Sequence, residues 1–236
     1  DLKKEDPNIV VTVRPRNLLD DNNLNYFTLS GISNRKTINC NENGYYSIFQ
    51  SDRYGFNNPD EEWDKNVLDF FLVGDSIVYG YCVNEPDTIS GNLRKLIDNK
   101  NGVINVGGGN SGSLIEYATL REYLPIKKVE RVLWIYIEGD LVQLGRELKN
   151  QILVNYLQDK SFSQNVILRK QEIQKLLLKK LNQVGDGLDS ITFRFIKLYS
   201  IREVILVTFN KIKHYFSTPT PVPTEEFKNI LKLSNE

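Results

Sequence analysis

The strongest feature of the hydrophobic pattern is a nearly continuous apolar run, VLDFFLVG, from Val67 to Gly74. A strand with one wet face alternates apolar and polar residues. A run this continuous, bounded by turn residues, predicts a central strand covered on both faces. A helix is predicted from Thr88 to Leu96, with Asp87 or Thr88 as its cap. GVINVG, Gly102 to Gly107, predicts a second strand. LIEYATLREYL, Leu114 to Leu124, predicts a second helix stopped by Pro125, and RVLWIYI, Arg131 to Ile137, a third strand. Strand, helix, strand, helix, strand at this spacing is the pattern of parallel βαβ units. Right-handed crossovers then lay the helices against the sheet.

The flanks are less regular. Residues 1 to 62 predict a small, partly extended N-terminal region. NIVVTV (Asn8 to Val13) and NYFTL (Asn25 to Leu29) read as strands, and Asn43-Gly44 reads as a turn before the aromatic strand in YYSIFQ. SDRYGFNNPDEEW, Ser51 to Trp63, is a polar loop leading into the first apolar run. Residues 63 to 236 form the α/β domain. Val166, Ile173, Leu177 and Leu181 recur at helical spacing and predict a long helix over Asn165 to Leu181, with Lys170, Lys175 and Lys179 facing water. Ile191 to Phe209 fits either a helix or strands. Its basic edge allows a membrane-surface helix as well as a core-packing one. Ser217 to Glu226 is a proline-rich connector, and Thr224 caps a last helix carrying Phe227, Ile230 and Leu231. A helix in a parallel sheet hands the chain to a further strand, and none follows here. The sheet is therefore expected to be incomplete at the C-terminal side.

Charge narrows the function. Lys+Arg and Asp+Glu both number 30, so the chain lacks the basic footprint of a nucleic-acid binder. No apolar stretch is long enough for a membrane-spanning helix. No secretory leader is visible, and the chain starts at Asp1. A cytoplasmic location and an envelope-facing one, anchored through an upstream segment, are both open. Cys40 and Cys82 are too few to define a disulfide framework and are read as either paired or free.

Candidate chemistry collects where the three strands end. In open parallel sheets, ligands bind beyond the carboxyl ends of the strands. Ser76 follows the first strand, flanked by Gly74 and Gly80, which permit a tight strand-to-helix turn. Asn105, Gly107, Gly108, Gly109, Asn110 and Gly112 follow the second, and Glu138, Gly139 and Asp140 follow the third. Two roles are open to Ser76, a nucleophile or a helix cap. The glycine run can aim backbone N–H groups at an oxyanion or a phosphate. No lysine follows it as a phosphate loop requires, and no acidic partner is placed for a dinucleotide fingerprint. Asp75 and Asp140 read as paired carboxylates or as oxygen ligands for a Mg²⁺-type ion. The single histidine, His214, reads as an ordinary surface or edge residue.

These blocks carry a family likeness. FLVGDSIVYG resembles the first block of the SGNH (GDSL) hydrolases, with Ser76 at the nucleophile position. INVGGGNSG is similar to their second block and LWIYIEGDL to their third. SDRYGFNNP resembles a stretch preceding the nucleophile strand in bacterial members with an N-terminal extension. The likeness spans roughly Ser51 to Leu144.

The resemblance implies a three-layer α/β/α sandwich with a mostly parallel, flavodoxin-like sheet. It implies ester hydrolysis by a serine nucleophile on an O-acyl carbohydrate or a lipid ester, with no cofactor and no metal. Ser76 then supplies the nucleophile and one backbone oxyanion donor. Gly109 or Asn110 supplies another, and Asp75 and Asp140 are supporting residues. The sequence departs from the family at two places. Gly139 stands where the third block has an asparagine, and Asn110 stands where the second block has its glycine. The family's C-terminal aspartate-x-x-histidine is expected beyond Glu236. Two other readings stay open: a non-catalytic SGNH-like module that binds an acylated sugar or a partner, and another α/β protein using phosphate or Mg²⁺.

Overall fold

The apolar run becomes the centre of a parallel sheet. In the computed structural model, which describes residues 6–12, 26–42, 44–98, 100–188 and 223–234, β4 (Val67–Gly74) lies between β5 (Gly102–Asn105) and β6 (Lys128–Ile135). Both pairings are parallel. Leu68, Phe71, Leu72 and Val73 of β4 are fully buried, as a strand covered on both faces requires. Leu68, Phe71 and Val73 join the larger core with Ile104, Leu114, Ile115 and Ala118. Leu72 and Val103 face the other way and pack with Ile89, Leu93 and Leu133.

The helices divide between these two faces. α1 (Ser76–Tyr79) closes the β4 crossover turn, and α2 (Ile89–Leu96) covers the smaller cluster. Thr88 caps α2, its Oγ1 accepting from Gly91 N at 3.0 Å. On the larger core lie α3 (Ser113–Tyr123), α4 (Glu138–Glu147), α5 (Gln151–Gln158), α6 (Lys170–Leu188) and α7 (Thr224–Ser234). The result is a mixed α/β fold with helices on both faces of a parallel sheet. No helix among the described residues is long and apolar enough to cross a membrane.

A second sheet precedes this one in the chain: β1 (Val10–Val11) pairs parallel with β2 (Lys36–Cys40), which pairs antiparallel with β3 (Ser47–Gln50). Phe27, Leu29, Ile32 and Phe56 from this region share one core with Trp63 and Leu68. A disulfide joins Cys40 on β2 to Cys82, just beyond α1. Neighbouring bonds fasten the same segment: Asn39 Nδ2 donates to Gly80 O at 2.9 Å, and Asn57 Nδ2 to Tyr79 O at 3.0 Å. The crosslink spans a sequence separation of 42, and removing it with Cys40→Ser/Cys82→Ser is expected to cost about 2–4 kcal/mol in urea unfolding. A loss below about 0.5 kcal/mol would show that the crosslink constrains little.

Several expected elements shift. Tyr26–Leu29 is not a strand. Phe27 is buried, but its N–H goes to Gln164 Oε1 at 2.5 Å rather than to a neighbouring strand. The first strand is Val10–Val11, with Val13 outside the described residues. The third strand of the parallel sheet begins earlier and ends at Ile135. The long helix starts at Lys170 instead of Asn165, because Asn165 takes a φ of +54° and residues 166–169 form a turn. α4 and α5 fill a stretch where the sequence pattern predicted no helix. Ile191 to Phe209, His214 and most of the proline-rich connector lie outside the described residues.

Candidate active site

The strand-to-helix turn at Ser76 is built by its neighbours. A side chain at Gly74 would strike Ile135 O and the Val78 side chain, so only glycine fits where β4 ends. Asp75 follows as the N-cap of α1, its Oδ1 accepting from Ile77 N at 2.9 Å. The capping role therefore falls to Asp75, not to Ser76. The Ser76 hydroxyl is left half-buried, donating to Asp75 Oδ2 at 3.3 Å. Gly80 ends the helix with a φ of +77°, a left-handed conformation open to glycine.

The glycine-rich loop after β5 is held against this turn. Asn105 turns inward: its Oδ1 accepts from Gly107 N at 2.8 Å, and its Nδ2 donates to Val78 O at 2.6 Å. Asn58 binds the Asn105 backbone on both sides, accepting from N and donating to O. Asn105 is thus a buried fastener between two strand ends. At Gly107 a Cβ would lie 2.5 Å from Tyr79 N, and Gly108 N donates to Gly74 O at 3.0 Å. Asn110 has a φ of +59°, which glycine adopts freely and asparagine tolerates better than most residues. The N–H groups of Ser76, Gly109 and Asn110 donate to no acceptor among the described residues.

The third strand end contributes carboxylates. Asp140 is fully buried at the start of α4 and accepts from Ile137 N at 2.7 Å through Oδ2. Burial pushes its carboxyl up to about 6, with the Asp75 charge adding to the effect. Glu116 of α3 accepts from Trp134 Nε1 at 2.7 Å. Burial first, and Asp140 next, hold its carboxyl well above the ordinary range. Glu147 accepts from Gly112 N, Leu114 N and Ile115 N, tying α4 to the first turn of α3. Burial pushes Glu147 up to about 7. Asp140 Oδ1, Glu116 Oε1, Ser111 Oγ and Ser113 Oγ have no hydrogen-bond partner among the described residues.

Asp75 and Asp140 each cap the start of a helix and share no hydrogen bond, while the Asp75 charge still reaches the Asp140 carboxyl. Among the described residues no group of three or more His, Cys, Asp or Glu side chains could hold a metal ion. Gly139 has only the Ile137 side chain near its Cβ direction, at 3.5 Å, and brings no amide to the site. Residues that the sequence did not single out support the loop. Glu147 binds its C-terminal end, and Asn58 binds Asn105, the last strand residue before it. The Gln143 amide, with its nitrogen inward, donates to Asn110 O at 2.6 Å and Ser111 O at 3.1 Å. The only sequence signal for any of them was that Asn58 falls within the FNNP stretch.

The raised carboxyls fix a direction for pH dependence. Burial holds the Asp140 and Glu147 carboxyls up at about 6 and about 7 in the folded chain, above their ordinary values of 3.8 and 4.5. Between these limits the folded chain binds more protons than the unfolded chain, so stability falls as pH rises through that window. Thermal unfolding should occur roughly 5 °C higher at about pH 5 than at about pH 8. Glu116→Gln, which removes a third buried ionisation, should flatten that slope. A midpoint that rises with pH over this range would contradict the assignment.

Comparison with known proteins adds little. No protein-family model matches the chain, and no curated protein matches it. Among solved structures the chain is similar to AlinE4, an SGNH-hydrolase family esterase, at 13% identity. That match covers 65% of this chain and 98% of the other, with a TM-score of 0.29. At this identity and score the likeness carries no argument about activity.

Proposed function

We propose that the protein hydrolyses acyl esters with Ser76 as nucleophile. The observation that carries this reading is the grouping at the strand ends. A serine hydroxyl is released from capping by Asp75, and the backbone N–H groups of Ser76, Gly109 and Asn110 are free of acceptors among the described residues. In this mechanism Ser76 Oγ gives its proton to a general base and bonds to the acyl carbonyl carbon. The carbonyl π pair moves onto oxygen, where the three N–H groups receive it. Collapse breaks the ester C–O bond, and the leaving alkoxide takes the proton. Water then repeats the sequence on the acyl-enzyme. Preorganised donors of this kind are each worth roughly 3 kcal/mol. The reading places the general base outside the described residues.

Gly139 favours a second reading, a binding module that keeps the pocket without turnover, because it supplies no side-chain amide to an oxyanion. Acid release from acyl esters at constant pH, measured on the natural full-length protein, separates the two. Saturable release supports the hydrolase. Saturable ester binding without release supports the module.

A further inference from the structure

The outer edge of β5 has no neighbouring strand among the described residues. Side chains take its backbone groups instead. Val103 N donates to Glu62 Oε2 at 2.7 Å, and Val103 O accepts from Arg94 Nε at 3.2 Å and Nη2 at 2.6 Å. Arg94 Nη2 also donates to Asn58 Oδ1 at 2.8 Å, and Nη1 donates to Glu85. The Arg94 residue is 5% exposed, so these bonds fix its guanidinium in place. A guanidinium carries five N–H donors. Four are used here, and the second Nη1 hydrogen has no acceptor among the described residues.

Arg94 lines a cavity of about 350 Å³. A single water needs only about 10–15 Å³ on this measure, and small-molecule sites begin near about 300 Å³. The charged residues around it are Lys65, Arg94 and Lys95 against Glu61, Glu62 and Glu85. A cleft lined by one sign of charge draws the opposite sign, and this lining is balanced. Glu62 and Glu85 are engaged by Arg94. Glu61 is exposed and forms no ion pair among the described residues. Lys95 meets Asp87 at 3.8 Å with both side chains more than half exposed, an arrangement that holds the ammonium loosely. We propose that this cavity binds a small zwitterion of the amino-acid type, its ammonium on Glu61 and its carboxylate on Arg94 and Lys95. An anion alone would face Glu61 and Glu85, and a cation alone would face Lys65 and Lys95. A ligand carrying both signs satisfies both and occupies the remaining Arg94 donor. None of the strand-end residues around Ser76 lines the cavity, so the site is independent of the hydrolase reading.

The test is calorimetric titration of the natural full-length protein with glycine, β-alanine, 4-aminobutanoate and 6-aminohexanoate, a series that varies the spacing of the two charges. At least one should bind saturably with a Kd below about 10 mM, and butanoate and butylammonium should each bind at least about 10-fold more weakly. Glu61→Gln and Lys95→Gln alter exposed side chains, so both variants should unfold at the same temperature as the parent. Each should weaken binding by roughly 10-fold, the cost of losing one hydrogen bond to a charged group. No saturable binding by any of the four overturns the proposal. Binding that butanoate or butylammonium matches, or that either variant leaves unchanged, also overturns it.

Discussion

Ser76→Ala is expected to lower ester turnover by at least about 10³-fold while shifting the unfolding midpoint by less than about 2 °C. The first half follows from chemistry. Alanine leaves the backbone donors in place but removes the atom that bonds to the acyl carbon. The second half follows from the turn. The Ser76 side chain is half-buried, and its one hydrogen bond goes to Asp75 at 3.3 Å. The cap on Ile77 N belongs to Asp75 and survives the substitution. Steady-state kinetics and a thermal melt on the same preparation measure both. Retention of more than about a tenth of the turnover would remove Ser76 as the nucleophile.

Asp52→Ala is expected to destabilise the fold by at least about 4 kcal/mol in urea unfolding. Asp52 is fully buried and accepts from Tyr54 N, Phe56 N, Asn58 Nδ2 and Trp63 Nε1, at 2.7 to 2.9 Å. Alanine strands four donors that water reaches poorly, and each orphaned group costs about 1–3 kcal/mol. The damage should also reach the site. Asn58, released from Asp52, holds both backbone groups of Asn105, and Asn105 holds Gly107 and Val78. Turnover should therefore fall along with stability, although Asp52 lies outside the strand-end cluster. Asp52→Asn keeps one acceptor oxygen and should cost less. A loss below about 1 kcal/mol for Asp52→Ala would show that water replaces the missing oxygens.

The parallel sheet was legible because burial on both faces leaves a continuous apolar run, and VLDFFLVG has no other economical reading. The boundaries of α2 and α3 were legible from Thr88 and Pro125. α4 and α5 were not. α4 starts with Glu138-Gly139-Asp140, two residues past the end of β6, where the glycine and the change of period conceal the helix. Tyr26–Leu29 resembles a strand because its residues are aromatic, β-branched or aliphatic, but a side chain from Gln164 takes the hydrogen bond that would have defined one. At the site, Ser76 and the glycine run were visible because the turn itself restricts residue type. Glu147 was not, because its meaning depends on helix N–H groups 32 to 35 positions away in sequence. The Cys40–Cys82 pairing was equally hidden, since two cysteines contain no spacing rule.

The most direct test of the central claim is peptide-mapped mass after exposure of the natural full-length protein to a serine-reactive fluorophosphonate. An activated serine oxygen bonds to phosphorus and expels fluoride, so the reagent reports nucleophilicity without knowledge of the substrate. The account predicts one adduct, on the peptide carrying Ser76, with Ser111 and Ser113 unmodified. A folded protein that takes up no reagent, or takes it up at another serine, would contradict it.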